Sequence, residues 1–231
     1  MTLFPWADNL VFRYLSVDYS PDFISHIKLQ GIHLPSDFGK AVLKRRCEFL
    51  AGRACAHQAL TYLGHETADS IGIGRRNEPV WPEDIVGSIS HCVGHAVASV
   101  AHRSEDVAGV GVDIEKVMSR EWANQLSSKI VLLNERHLVA HFDDFCQFLT
   151  LMFSAKEAIY KAIFPTVQQI LDFDSVVLEK VDCDRQELTF ATTPILDEYL
   201  NNGINIRVRY SMMDDTHCIT WCVIGDNHLK H

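Results

Sequence analysis

Asp113 and Glu115 stand two apart in GVDIE, residues 111–115, and Glu157 and Lys161 stand four apart in FSAKEAIYKA, residues 153–162. In a strand, side chains two apart point to one side. In a helix, side chains four apart share a face. A strand end can therefore aim two carboxylates at a spot where a helix supplies a third carboxylate and an ammonium. Three acidic oxygen donors with a lysine suit a magnesium ion that holds a phosphorylated molecule. Carboxylates held close together repel, and a divalent cation relieves that cost. Plainer readings exist for each pair. A lone DxE is commonly a surface pair, and Glu157 with Lys161 can be a helix ion pair worth about 0.2–0.5 kcal/mol. Because Asp113 and Glu115 end the apolar run VAGVGVDIE, they are expected at a core edge, which strengthens the metal reading. Lys156 reads as a solvated neighbour within reach of a phosphate.

Other residues invite chemistry less strongly. Ser90-His91 has the types of a nucleophile and its base, but no GxSxG elbow surrounds the serine and no acid completes a triad. In a loop, a hydroxyl and an imidazole can instead bind a phosphate. His91 and His95 have zinc-helix spacing without the HExxH glutamate, so zinc is disfavoured. Lys40, Lys44, Arg45, Arg46 and Arg53 crowd one helical stretch, which reads as a solvated face or as an anion site. Arg46 and Arg53 are seven apart and fall on nearly one line, with Arg45 to the side. Arg75 and Arg76 lie in the Gly- and Pro-rich stretch 72–92, expected to be a loop where ligand contacts collect.

These residues need elements to position them. A strand is expected near Leu10–Val17, then a helix capped by Ser36 and stopped by Gly64. Strands are expected at His95–Ala101 and Val107–Glu115, joined as a hairpin through Ser104-Glu105-Asp106. Helical pattern follows, broken near Ser127 and Ser128. Asn134 is placed to cap a short helix through His141. Asp143 or Asp144 caps the helix carrying Glu157, which should end before Pro165. A small helix is expected within Thr193–Leu200. Strands at Phe173–Val181, Glu187–Ala191, Ile204–Ser211 and Thr216–Ile224 complete the chain. Each half thus reads as a long helix with antiparallel strands, an α+β class.

Composition bounds the rest. The 231 residues suffice for one large or two small domains with a sizeable core. A net charge of -9 argues against nucleic acid as partner, so a polyanionic ligand requires a local basic patch. The seven cysteines form no CxxC pair and are expected as free thiols in a cytoplasmic protein. The opening MTLFPWADNLVF has no basic start or long apolar run, so no signal peptide is expected. No stretch is apolar enough for a membrane span, and peripheral membrane attachment is left open.

Five blocks, LKRRCEFLAGRACAHQAL, RRNEPVWP, GSISHC, GVDIE and FSAKEAIYKAIFP, together resemble the 4'-phosphopantetheinyl transferases, most closely the siderophore branch. They span residues 43–165. The resemblance implies two similar helix-plus-antiparallel-sheet halves in pseudo-twofold arrangement, residues 1–105 and 106–231, with the active site in the cleft between them, in a monomer. It implies transfer of phosphopantetheine from coenzyme A to a serine of apo carrier-protein domains of siderophore-type nonribosomal peptide synthetases, with release of 3',5'-ADP. Asp113, Glu115 and Glu157 would hold Mg²⁺, with the Ile114 carbonyl as a further ligand in some relatives. Glu157 would take the serine proton directly or through water, and Lys161 would stabilise charge on the diphosphate. Arg45, Arg53, Ser90 and His91 correspond to 3'-phosphate contacts. Arg76, Asn77, Glu78 and Pro79 would line adenine and ribose, and Leu171 the pantetheine arm. The motif prefers Arg45 where helical geometry prefers Arg46. Phe153 stands where many relatives carry tryptophan, a departure usual in the siderophore branch. Two rival classes are an inactive relative that only binds carriers or coenzyme A, and a magnesium phosphohydrolase.

Overall fold

A computed structural model describes residues 10–65 and 71–230. The expectations for Met1–Asn9, including Pro5, lie outside the described residues. The chain divides into two compact units, Met1–Arg103 and Ser104–His231.

The first unit begins with β1 (Val11–Ser16) and α1 (Pro21–Lys28), followed by α2 (Leu43–Tyr62), the short strands β2 (Gly72–Ile73) and β3 (Pro79–Val80), and then β4 (Ile85–Cys92) and β5 (His95–His102). Its main sheet is antiparallel in the order β1-β5-β4. The buried face of α2, including Cys47, Leu50, Ala51, Ala54 and Cys55, packs with Ala96 and Ala98 of β5. Small side chains on both partners let helix and sheet approach closely.

The second unit runs β6 (Gly109–Lys116), α3 (Arg120–Ile130), α4 (Phe145–Val167), β7 (Val176–Asp182), β8 (Glu187–Thr192), β9 (Asn205–Asp214) and β10 (His217–Ile224). Its sheet is antiparallel in the order β6-β10-β9-β8-β7. Both units follow one plan. A first strand leads to a long helix, then to antiparallel strands, and the last strand returns to pair with the first. The α+β class with antiparallel sheets is as expected.

Several local expectations need correction. Ser36 does not cap the long helix. It opens a separate 3₁₀ turn, Ser36–Lys40, and Ala41 and Val42 are extended before α2 starts. The stretch 72–92 is not mainly loop, because 85–92 forms a full strand whose alternating burial is masked by its glycine and serines. β5 and β6 are not a hairpin; they belong to different sheets. Pro165 lies inside α4. In the last turn it removes a single helical hydrogen bond, while Ile163, Phe164 and Val167 stay buried and carry the helix on. Asn134 is not a cap; the turn Arg136–His141 follows Glu135, which has no capping bond of its own. Asp144, by contrast, caps α4 by accepting from the N–H groups of Cys146 and Gln147 at 2.5 and 3.2 Å.

The contact that organises the second unit is α4 against β6. A Cβ on Gly111 would overlap the Ala158 carbonyl oxygen and stand 2.7 Å from its carbon, and one on Gly109 would overlap the Ala162 carbonyl. The two glycines let helix backbone touch strand backbone. Gly111→Ala is therefore expected to destabilise the fold by about 1–3 kcal/mol, the usual cost of overpacking. A urea melt shows this as a lowered midpoint, and an unchanged midpoint would contradict the contact.

Candidate active site

The glycine contact fixes what stands beside it. Asp113 and Glu115 follow Gly109 and Gly111 on the same face of β6, and Glu157 and Lys161 project from α4 nearby. Lys161 Nζ donates to Asp113 Oδ1 at 2.6 Å and to the Val112 carbonyl at 3.3 Å. Asp113 is buried, and Glu115, Glu157 and Lys161 are half-buried. Ser154, one turn before Glu157, shares a hydrogen bond of 2.9 Å with Thr220, the residue opposite Asp113 on β10. That buried bond pins the helix over the strand pair.

Backbone alternation adds a donor. Val117 N–H points into the sheet, donating to Thr216 O at 2.7 Å. Residues of opposite parity on β6 then turn their carbonyls away from β10. Val112 does so and meets Lys161, and Ile114 O faces the same edge.

The electrostatics are those of a crowded acidic site. Glu115 is pushed up to about 8, by burial first and then by the negative charge of Asp113; Lys161 counteracts this and Glu157 adds to it. Glu157 is also raised, chiefly by burial, with Lys161 opposing and Asp113 reinforcing. One ammonium does not balance three carboxylates. The donor set is hard oxygen, which fits Mg²⁺. The three carboxylates do not all lie within 4.8 Å of one another: among the described residues the group meeting that spacing is His65, Asp84 and His102. Magnesium tolerates this, because it commonly takes one or two carboxylates and completes its shell with water and substrate oxygens.

Lys156 does not reach solvent. It is 3% exposed and donates to the Ile130 carbonyl, the Phe173 carbonyl and Glu135, each at about 3.0 Å. Glu135 is fully buried and also accepts from the N–H groups of Leu132 and Leu178. The pair ties α3, α4, β7 and the 3₁₀ turn at Arg136 together. The solvated reading of Lys156 is overturned, because its position on α4 faces inward.

Beside Glu157 lies a cavity of about 130 Å³ lined in part by Glu157, Tyr160, Ile163, Leu171 and Phe173. Leu171 and Glu157 thus share one pocket.

On the first unit, Arg45 donates to His91 Nε2 at 2.6 Å. Glu48 stands 3.8 Å from the other ring nitrogen of His91 and accepts from Tyr19 at 3.2 Å. Glu48 escaped the sequence reading, although its place three residues after Arg45 puts both on one helix face. Arg46 is half-buried on another side, and its Nε has no hydrogen-bond partner among the described residues. Arg53 is 9% exposed, donates to the carbonyls of Ile71 and Gly72 at 3.0 Å, and lies over the Phe49 ring. Burial lowers it to about 10, still cationic at neutral pH. Ser90 and His91 occupy neighbouring positions of β4, so their side chains point to opposite faces. His91 pairs with Ala96 and so shares the α2 side of the sheet, whereas the buried Ser90 does not. Arg76, Asn77 and Glu78 form the turn between β2 and β3, with Pro79 opening β3. Asn77 takes a left-handed φ of 67°, and Glu78 folds its carboxylate back to accept from Arg76 N–H at 2.8 Å.

This chain belongs to the 4'-phosphopantetheinyl transferase superfamily. The family model of that name matches residues 109–222, and the 4'-phosphopantetheinyl transferase N-terminal domain matches residues 35–101. Among its relatives, 4'-phosphopantetheinyl transferase Npt of Nocardia iowensis is 33% identical over 168 residues, covering 71% of this chain and 74% of the relative. Enterobactin synthase component D of Salmonella typhi is 40% identical over 140 residues, 60% of this chain and 56% of the relative. 4'-phosphopantetheinyl transferase Svp of Streptomyces mobaraensis is 36% identical over 159 residues, 65% and 60% respectively. The matched stretch thus spans about half the length of the component D relatives, 56% and 48% for those of Salmonella typhi and Salmonella typhimurium. Among the described residues no helix is long and apolar enough to cross a membrane.

The two lysines of the KEAIYK stretch should separate by experiment. Lys156→Met strands the buried Glu135 charge and is expected to cost about 3–5 kcal/mol of stability. Lys161→Met, at a half-exposed position, removes one bond to the buried Asp113 and should lower the urea midpoint less than Lys156→Met does. Equal losses in both variants would contradict the assignment.

Proposed function

We propose that this protein transfers the 4'-phosphopantetheine group of coenzyme A to a serine of apo carrier-protein domains in a magnesium-dependent reaction. The carriers are those of siderophore-type nonribosomal peptide synthetases, and the protein acts as a cytoplasmic monomer. The carrying observation is the placement of Asp113, Glu115, Glu157 and Lys161 side by side at the α4–β6 contact. The resemblance to enterobactin synthase component D supports the choice of carrier.

Asp113, Glu115 and Glu157, with the Ile114 carbonyl at the strand edge, are the residues that would hold magnesium. Bound there, the ion supplies positive charge to the diphosphate oxygens of coenzyme A. Lys161 contributes a second positive charge beside it. Glu157 accepts the proton of the carrier serine, directly or through a water molecule. Burial raises the proton affinity of Glu157 when no ion is bound, and a bound cation opposes that rise. The serine oxygen forms a bond to the β-phosphorus as the bond from that phosphorus to the bridging oxygen breaks. The electron pair leaves with 3',5'-ADP.

Coenzyme A carries several negative charges, and an acidic chain must gather cations locally to hold it. Arg45 and His91, already in contact, and Arg53 are proposed for the 3'-phosphate. Ser90 is not carried with them: its side chain faces the other way, and its backbone pairs with Val97 of β5. Arg76, Asn77, Glu78 and Pro79 are proposed for adenine and ribose. Leu171 is proposed for the pantetheine arm because it lines the pocket beside Glu157.

The test is incubation with coenzyme A, Mg²⁺ and an apo carrier domain, read by mass spectrometry. The expected result is a carrier heavier by one phosphopantetheine, with no gain in chelator. Asp113→Ala and Glu157→Gln should each reduce transfer by about a thousandfold or more, as for a lost charge-stabilising group, while melting like the wild type. Wild-type-like transfer in either variant would refute the site. Breakdown of coenzyme A without any carrier would mark a hydrolase instead. Binding of coenzyme A or carrier without transfer would mark an inactive relative.

A further inference from the structure

We propose that His65, Asp84 and His102 form a second metal site, one that takes a borderline transition ion of the Zn²⁺, Co²⁺ or Ni²⁺ class. The three ligand atoms lie within 4.8 Å of one another. His65 Nε2 is 3.5 Å and His102 Nδ1 is 3.6 Å from the same oxygen, Asp84 Oδ2. A tetrahedral ion with bonds of about 2.0–2.1 Å places its ligands roughly 3.3–3.4 Å apart, so an ion fits among these atoms with little side-chain movement.

The backbone at each ligand is held independently. His65 N–H donates to Leu60 O at 3.0 Å where α2 ends, and Gly64 N–H donates to Thr61 O at 3.0 Å. Asp84 O accepts from Arg103 N–H at 2.8 Å, and its neighbour Ile85 pairs with His102 across β4 and β5. A helix end, a turn and a strand end therefore present their ligands from fixed positions. Two imidazoles and one carboxylate match the ligand class of zinc and its neighbours rather than that of magnesium. His65 is a quarter exposed while Asp84 and His102 are more than half exposed, so water completes the shell. The site shares no residue with the acidic cluster on β6 and α4. An ion there would clip the end of α2, the helix that carries Arg45 and Arg53, to the β4–β5 hairpin.

The full chain, without an affinity tag and stripped by chelator, is titrated with Zn²⁺ by calorimetry in excess Mg²⁺. Co²⁺ is followed in parallel by its visible absorption. One ion per chain is expected at this site, with a rise in melting temperature on Zn²⁺ addition. His65→Ala, Asp84→Ala and His102→Ala should each weaken binding by at least about tenfold and lose the melting shift. Their metal-free melts should match the wild type, which shows that the fold is kept; should one alanine variant not fold, His102→Gln replaces it. Absence of saturable uptake up to millimolar ion would overturn the proposal and leave only histidine–aspartate ion pairs. Undiminished binding in the His65→Ala/His102→Ala double variant would overturn it too, by moving the ion to other groups such as the exposed Cys183.

Discussion

A helix backbone touching a strand backbone is the constraint on which the second unit depends. With any side chain at Gly111, the Ala158 carbonyl and the strand could not occupy their present places. That closeness brings Glu157 and Lys161 within reach of Asp113 and the Val112 carbonyl. It also forces like charges together in a half-buried setting, which is why Glu115 and Glu157 hold protons more tightly than exposed acids. Fold energy and site chemistry oppose each other here. Apolar packing along α4, from Phe148 to Ile163, supplies the stability that the crowded acids oppose.

The two units reuse one solution to the problem of covering an antiparallel sheet. In each, the long helix crosses the pair made by the first and last strands. Alanines on α2 and β5 serve in the first unit as glycines on β6 serve in the second. Yet the helices carry opposite charge to their surfaces. α2 presents Arg45 toward His91, and α4 presents Glu157 beside Asp113. One plan thus carries opposite electrostatics in the two units.

Much of this was legible from residue types alone. DxE at a strand end and ExxxK on a helix are short-range patterns, fixed by the two backbone periods, and the structure sets all four residues along the α4–β6 contact with Lys161 bonded to Asp113, though the three carboxylates do not form one 4.8 Å cluster. Asp144 was legible as a cap for the same reason. The sequence failed where tertiary packing decides. Residues 85–92 look like loop because glycine and serine interrupt the run, but pairing with β5 makes them strand. Pro165 looks like a stop, but buried neighbours hold the helix past it. The join between Ser104 and Asp106 looks like a hairpin turn, but strand partnership is set across the whole chain, so β6 pairs with β10. Ser90 and His91 were read as one patch because a loop lets neighbours converge. A strand sends them to opposite faces.

Lys156 shows the same limit at the scale of one turn. Adjacent helix positions differ by about 100°, so Lys156 and Glu157 cannot face the same surroundings. Glu157 and Lys161 are four apart and face the acidic edge together. Lys156 turns instead toward the core, where Glu135 arrives from a segment twenty-one positions earlier. Nothing local announces that partner. The outcome follows from desolvation: an ammonium in the interior needs a counter-charge and enough acceptors, and Glu135 with two carbonyls meets both needs. Burial still lowers the proton affinity of Lys156 despite that help. Lys161, by contrast, is half-exposed and keeps its charge beside Asp113.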